Sequence, residues 1–322
     1  MVMPMPEETA QKTIENVTVL GGGLIGASWA ALFLGQEYRV TVQDIACGFE
    51  ARVAAELRRV WPDLVSLGLA SGRPPFDQLR YDRDTARACE GADFVQECGP
   101  DRIEIKQAMV AEAEAGLRAD VVIASSTSSL MASDIQAGAQ NPGRILVAHP
   151  FNPPHLMPLV ELVAGQKTLP AAMQVARAFY EGMNKQVITV QKEVVGHIAN
   201  RLGSAVFREA VHMVAEGIAS VADIDSAMAH GPGLRWALMG PFHTYHLGGG
   251  AGGFAHYIQH LGPTQAARWQ ELGNPALDAE TVAKLIAGVE EAIKADSGSL
   301  QEKRDRGLLA LLALKEEIGL AR

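Results

Sequence analysis

Two side chains stand out in a stretch otherwise built of apolar residues and prolines. His149 lies in His149-Pro-Phe-Asn152-Pro, and Glu161 follows in Leu159-Val-Glu161-Leu-Val. A neutral imidazole near a buried carboxylate is equipped to act as a general base near neutral pH. Upstream, Gly21-Gly-Gly23-Leu24-Ile25-Gly26 follows the apolar run Asn16–Leu20 and opens a helical pattern. Strand, glycine turn and helix in that order mark a dinucleotide site. Together these residues suggest an enzyme whose base removes a hydroxyl proton while a nicotinamide takes the hydride.

Each glycine has a physical task. Gly21 permits the tight turn, Gly23 lets the backbone approach a pyrophosphate, and Gly26 allows close helix–strand packing. The N–H groups opening the helix, at Leu24 and Ile25, then face the phosphates. The next strand ends at Asp44, where a carboxylate accepts hydrogen bonds from a ribose and repels a 2′-phosphate; the Ile45-Ala46 that follows offers no arginine for such a phosphate. The expected cofactor is therefore NAD. Asp101 and Lys106 open the helix after the run Phe94–Glu97. Their spacing fits contacts to the cofactor's ribose or nicotinamide region, and it equally fits a solvated charge pair on a helix surface.

Ser125-Ser-Thr-Ser128-Ser follows another β-type run, and Asn200 lies in Gly196-His-Ile-Ala-Asn200-Arg. Alone, these read as helix caps and a helix start. Their placement at strand ends and at a change of pattern, where ligand clefts concentrate, makes them candidate site residues.

The elements that must position these groups alternate through the first half. Short strands are expected at Asn16–Leu20, 39–44, Phe94–Glu97, 121–125 and 145–149, with helices at 23–34 and 51–67. Such alternation predicts a parallel sheet covered on both faces. Gly72-Arg-Pro-Pro75 is a loop. Beyond the strand at 187–190 the spacing turns helical, with a capping box at Ser220 and Asp223 and helices at 281–295 and 300–318. A glycine-rich loop at 248–253 interrupts this half. The expected fold is an α/β Rossmann-type doubly wound sheet (12–192) followed by an all-α C-terminal domain (193–322).

The bulk composition narrows the partners. The 322 residues carry a net charge of −9 with no Lys/Arg block, which argues against nucleic acid. Cys47, Cys89 and Cys98 form no C-x-x-C pair, so neither a disulfide framework nor a zinc site is expected, and reduced thiols fit a cytoplasmic protein. No apolar stretch suits a membrane span, and residues 1–11 lack a signal peptide's pattern and read as a short loose start. His256 and His260 share a helical spacing, as His243 and His246 nearly do, but no neighbouring acid completes a three-ligand set, so no metal is expected.

Along nearly its whole length the chain resembles the L-3-hydroxyacyl-CoA dehydrogenase superfamily. The matching segments are Gly21 to Gly26, Ser125 to Leu130, His149 to Pro153, Leu159 to Glu161 and Asn200-Arg-Leu202. Within it the chain is most similar to the branch acting on free 3-hydroxy acids, which holds L-gulonate 3-dehydrogenase (lambda-crystallin) and L-carnitine dehydrogenase. Gln96-Glu-Cys98, Val147-Ala-His-Pro150, Pro158-Leu-Val-Glu-Leu-Val163, Val190-Gln-Lys-Glu193 and Gly233-Leu-Arg-Trp-Ala237 carry that likeness. The resemblance implies His149 as general base with Glu161 orienting it, as the aspartate of a serine-protease triad orients its histidine. It implies Ser128 and Asn200 on the substrate oxygen, and Asp101, Lys106 and Asn152 near NAD.

The expected reaction is NAD-dependent oxidation of the 3-hydroxyl of a small L-3-hydroxy acid, carnitine- or gulonate-like. A short-chain acyl-CoA thioester is the alternative substrate, and a non-catalytic crystallin-like or NAD-sensing protein the alternative class. Filled positions for base, orienting acid and oxygen holders argue against the last. The carnitine-type segment usually has an acid where this chain has His243, while Trp236, Phe242 and Tyr245 supply aromatic faces for a trimethylammonium group. Arg235 stands among glycines and apolar residues. It reads either as a fork for a substrate carboxylate or as a structural arginine paired with an acid across an interface. A homodimer through the helical half is expected from the resemblance and from its apolar helix content.

Overall fold

The computed structural model describes residues 13–294 and 299–320. The expectation for residues 1–11, and the end of the last-but-one helix at 295, lie outside the described residues.

The chain divides into two compact units, one running to Ile198 and the other spanning Ala199–Leu320. The first unit is built on eight strands: β1 (Asn16–Leu20), β2 (Arg39–Gln43), β3 (Leu79–Asp82), β4 (Phe94–Glu97), β5 (Val122–Ser125), β6 (Ile145–Pro150), β7 (Leu159–Ala164) and β8 (Gln186–Val190). Between them lie α1 (Leu24–Gly35), α2 (Phe49–Ser66), α3 (Thr85–Cys89), α4 (Ile103–Gly116), α5 (Ala132–Ile135) and α6 (Pro170–Glu181). The strand order is β3-β2-β1-β4-β5-β6-β7-β8. The chain leaves β1 toward one edge through β2 and returns to its other side as β4, so a crevice opens at the carboxyl ends of β1 and β4.

The sheet forms because its strands are apolar on both faces. β4, β5 and β6 are buried throughout. Helix α1 is buried from Gly26 to Leu34, and α2 presents Phe49, Val53, Leu57, Val60, Trp61 and Leu64 at helical spacing. Phe94 of β4 stacks on Phe179 of α6 (ring centroids 4.1 Å apart), and Phe33 of α1 packs on the same Phe179 ring (5.5 Å), tying α6 to the sheet and α1 to α6.

Two features differ from the expectation. β7, which was not among the expected strands, runs antiparallel to β6, whereas a parallel sheet was expected. The cause is the connection 151–158, shorter than the dozen or so residues a parallel crossover needs. β3 was not foreseen: its sequence Leu-Arg-Tyr-Asp carries charges and no apolar run, as suits an edge strand.

The second unit is helical: α7 (Ala199–Ala215), α8 (Val221–His230), α9 (Pro232–Leu238), α10 (Pro241–Gly248), α11 (Gly253–Glu271), α12 (Ala279–Lys294) and α13 (Leu300–Glu317). Ser220 caps α8, its hydroxyl oxygen accepting from the Asp223 N–H (3.1 Å). Pro232 and Pro241 stand at the starts of α9 and α10, where a missing N–H is harmless. The glycine-rich stretch 248–253 is compact, passing through one 3₁₀ turn, Gly250–Gly252, into α11. Among the described residues no helix is long and apolar enough to cross a membrane.

Candidate active site

The glycine turn sits in the crevice and its geometry fits a dinucleotide. Gly21 has φ +98°, and a Cβ there would lie 2.7 Å from the Cys98 carbonyl in the loop after β4. A Cβ on Gly26 would lie 1.9 Å from the Gly21 carbonyl oxygen. Around Gly23, by contrast, a Cβ would meet nothing within 4 Å. The turn is thus closed where it packs on the protein and open where a pyrophosphate must approach. Gly23 caps α1 without a side-chain bond, and Leu24 is exposed, so the first N–H groups of the helix are uncovered. Asp44 follows β2, and its carboxylate accepts one N–H on each oxygen, from Gly22 and from Ala46 (both 2.8 Å). Each oxygen keeps a lone pair for a ribose hydroxyl.

Below the crevice the structure corrects the reading of Lys106. Its side chain is 1% exposed, and Nζ donates to both Glu97 oxygens (2.9 Å each) and to the Gly99 carbonyl (3.0 Å). All three N–H groups are spent inside the protein, so Lys106 neither sits on the surface nor reaches a ligand directly. Glu97 is fully buried and also accepts from the Gly99 N–H (2.6 Å) and the Ser125 hydroxyl. This cluster holds the loop at 98–99 that packs against Gly21. Glu97 is the member that sequence reasoning missed, and Ser125, whose hydroxyl was expected to reach the crevice, donates it to Glu97 instead. The signal was present: Lys106 shares the buried face of α4 with Val110 and Ala113.

Asp101, 3.5 Å from Lys106, bonds to Ser128: Oδ2 accepts the Ser128 hydroxyl (2.9 Å) and the Ser128 N–H (3.2 Å). Burial raises the Asp101 pKa, but bonds from Thr127 and Ser128 and the Lys106 charge outweigh it, and the net shift is downward. Asp101 therefore stays ionised and fixes the serine.

At the end of β6, His149 lies directly opposite Glu161 of β7 in the antiparallel register. The facing pair is closed by a 2.7 Å bond between His149 Nδ1 and Glu161 Oε2, with His149 5% exposed and Glu161 fully buried. A carboxylate accepts, so Nδ1 carries the proton and Nε2 keeps its lone pair. The second Glu161 oxygen accepts the Ile198 N–H (2.9 Å). Glu161 is thus pinned on both oxygens and orients the imidazole as a base requires.

The remaining expected residues are placed by element. Asn152 is exposed in the connection after β6. Asn200 is the second residue of α7, and Arg235, exposed, lies in α9; both belong to the second unit. Among the described residues no three His, Cys, Asp or Glu side chains gather as metal ligands.

Residues 16–194 match the NAD binding domain of 3-hydroxyacyl-CoA dehydrogenase, and residues 196–284 match its C-terminal domain. The chain belongs to the 3-hydroxyacyl-CoA dehydrogenase family. It is accordingly an NAD-dependent oxidoreductase acting on a CH–OH group. Among curated relatives, it is 44% identical to L-carnitine dehydrogenase of Streptomyces coelicolor, over 97% of this chain and 98% of that one. It is 39% identical to L-carnitine dehydrogenase of Bacillus cereus, over 95% and 94% of the two chains. Among solved structures it resembles 5-formyl-3-hydroxy-2-methylpyridine 4-carboxylic acid 5-dehydrogenase, an NAD+-dependent dismutase. That likeness has a TM-score of 0.81 at 28% identity and covers 94% of this chain and 99% of the other.

Proposed function

We propose that this family member oxidises the 3-hydroxyl of a small free L-3-hydroxy acid of the carnitine type to the 3-keto acid. The observation that carries the reading is the His149–Glu161 pair, set in register across β6 and β7 in a unit whose sheet also forms the dinucleotide crevice. L-carnitine dehydrogenases that match nearly the whole chain support the substrate class.

Gly21, Gly23, Leu24, Ile25, Gly26 and Asp44 would hold the dinucleotide, with Asp101 and Asn152 toward its reactive end. NAD, when bound, supplies the hydride acceptor. His149 Nε2 takes the hydroxyl proton. Buried Glu161 holds the tautomer and stabilises the imidazolium that results. We assign Ser128 and Asn200 to the substrate oxygen. Ser128 spends its proton on Asp101 here, so it must turn its hydroxyl to the ligand as the carbonyl develops.

Arg235 is assigned to the substrate carboxylate. Among the described residues no acid pairs with it, which leaves its fork available. A thioester has no such carboxylate. The test is NADH formation with carnitine, gulonate, 3-hydroxybutyrate and 3-hydroxybutyryl-CoA, using wild type and Arg235→Lys. A free acid should give the highest kcat/KM, and the variant should raise KM for that acid alone, because an ammonium cannot form two parallel bonds. Preference for the thioester would overturn both assignments.

We also propose a homodimer through the helical unit, because Leu202, Phe207, Trp269 and Ile286 of that unit lie exposed. Light scattering should give about twice the 34.3 kDa chain mass. The unpaired thiols Cys89 and Cys98, both pushed up to about 12 chiefly by burial, suit a reducing cytoplasm.

A further inference from the structure

Beside the general base lies a second imidazole that the proposed reaction does not use. His197 is 2% exposed, and its ring centroid is 5.2 Å from that of His149, tilted by 48°. Its backbone is left-handed, with φ +49°, directly after Gly196 at φ +79°. Few residues other than glycine adopt that conformation, although histidine tolerates it better than most, and left-handed residues of this kind cluster at functional sites.

The ring's bonding is specific. Nε2 lies 3.2 Å from the Thr127 carbonyl oxygen. A carbonyl only accepts, so Nε2 carries the proton and Nδ1 is left as an acceptor in the neutral ring. Nδ1 is buried and, among the described residues, has no partner. Burial holds the ring's pKa below the ordinary histidine value, so it remains neutral. A phenylalanine would fill this volume without the orphaned acceptor. The position therefore keeps an imidazole at a cost in both backbone and side chain, and what it gains is the bond to Thr127.

That bond has a consequence for the site. The Thr127 carbonyl and the Ser128 N–H belong to one planar peptide unit, and in a trans peptide they point in opposite directions. Asp101 accepts the Ser128 N–H at one edge of this plane, and His197 donates to the Thr127 carbonyl at the other. The next residue after the imidazole, Ile198, donates its N–H to Glu161. We infer that His197 is a positioning residue: from the turn at 194–198, which also holds Glu161, it fixes the 127–128 peptide plane. Ser128 is thereby set in register with the His149–Glu161 pair. The inference rests on the reading of His149 as the base and Ser128 as an oxygen holder.

The test uses the full-length enzyme with NAD and its best hydroxy acid, and compares four variants. His149→Ala should be nearly inactive; if it stays active, the base reading falls, whatever the His197 variants do. His197→Phe, which keeps the bulk and loses the donor, should bind NAD as wild type does. It should lose about 10²-fold in kcat/KM, the scale of an ångström misplacement at a reacting centre. His197→Gln carries an amide N–H that reaches as far as Nε2, and should recover at least tenfold of that loss. His197→Asn suits the left-handed backbone but its amide ends short of Thr127, so it should fold and be as impaired as the phenylalanine variant, which covers the case in which His197→Phe does not fold. With His149→Ala inactive, wild-type activity in either the phenylalanine or the asparagine variant overturns the inference. So does a glutamine variant no better than asparagine, because the imidazole itself would then be required.

Discussion

Replacing Glu161 by glutamine should separate catalysis from folding at one residue. Both carboxylate oxygens accept from donors: the His149 Nδ1–H at 2.7 Å and the Ile198 N–H at 2.9 Å. An amide has one acceptor oxygen, so Glu161→Gln can serve only one of them. If the oxygen stays on His149, the tautomer is kept, but the imidazolium loses its counter-charge. A hydrogen bond to a charged group contributes roughly 1.5–3 kcal/mol, which at 1.36 kcal/mol per decade is a fall of about 10–150-fold in kcat. The Ile198 N–H then faces the amide N–H, and a buried unsatisfied donor costs about 1–3 kcal/mol of stability. If the amide turns the other way, His149 loses its orienting acceptor and the fall in kcat is larger. Steady-state NADH formation against pH, urea unfolding, and NAD titration by fluorescence together read these effects. The affinity for NAD should hold, while kcat and stability fall together. A variant with kcat within threefold of wild type and an unchanged pH profile would refute the pairing.

Asp44→Ala should weaken NAD and raise the ratio of NADP to NAD kcat/KM, because the acid no longer repels a 2′-phosphate; an unchanged ratio would remove Asp44 from cofactor choice. Gly26→Ala places a methyl 1.9 Å from the Gly21 carbonyl and should lower Tm in the absence of ligand. Gly23→Ala meets nothing within 4 Å and should keep Tm but lose most of the rise that NAD gives, with the opposite pattern contradicting the open and closed sides of the turn. Lys185 is buried, donates to the Pro154 and Met157 carbonyls, and has its pKa lowered from 10.5 to about 7 by burial. Between those values the unfolded chain binds a proton that the folded chain does not, so this lysine makes stability rise with pH from about 7 toward 10.5 and fall back as pH drops to 7. Urea unfolding should show wild type gaining on Lys185→Met across that window, by up to about 1.36 kcal/mol per pH unit, and a difference that stays flat would deny the shift.

What the sequence made legible was local. Gly21 to Gly26 and Asp44 could be read because strand, turn, helix and acid follow one another and each constrains the next. The doubly wound order followed from the same alternation. β3 was not visible because an edge strand needs little apolar surface. α9 and α10 were not, because proline and glycine break the helical spacing just where these short helices begin, and α11 was not, because it opens on Gly253 and holds Pro263 inside.

At the candidate site the sequence named residues but not their partners. His149 and Glu161 were named together, but their facing register depends on the reversal at 151–158, which periodicity does not report. Lys106 was read as facing ligand or solvent because a lysine alone gives no hint of burial. Its position on the apolar face of α4, and a glutamate inside the buried strand β4, jointly require the pair: neither charge is tolerable there without the other. His197 went unremarked beside Asn200 for a similar reason. Only Gly196 hints at the left-handed turn, and a histidine acquires a purpose there only once Thr127, seventy residues away in the chain, is known to stand beside it. Candidates to meet the substrate are named by type and by family likeness. Those that hold them still are recognised by what they cost where they stand: a buried lysine, a strained histidine, an acceptor left without a partner.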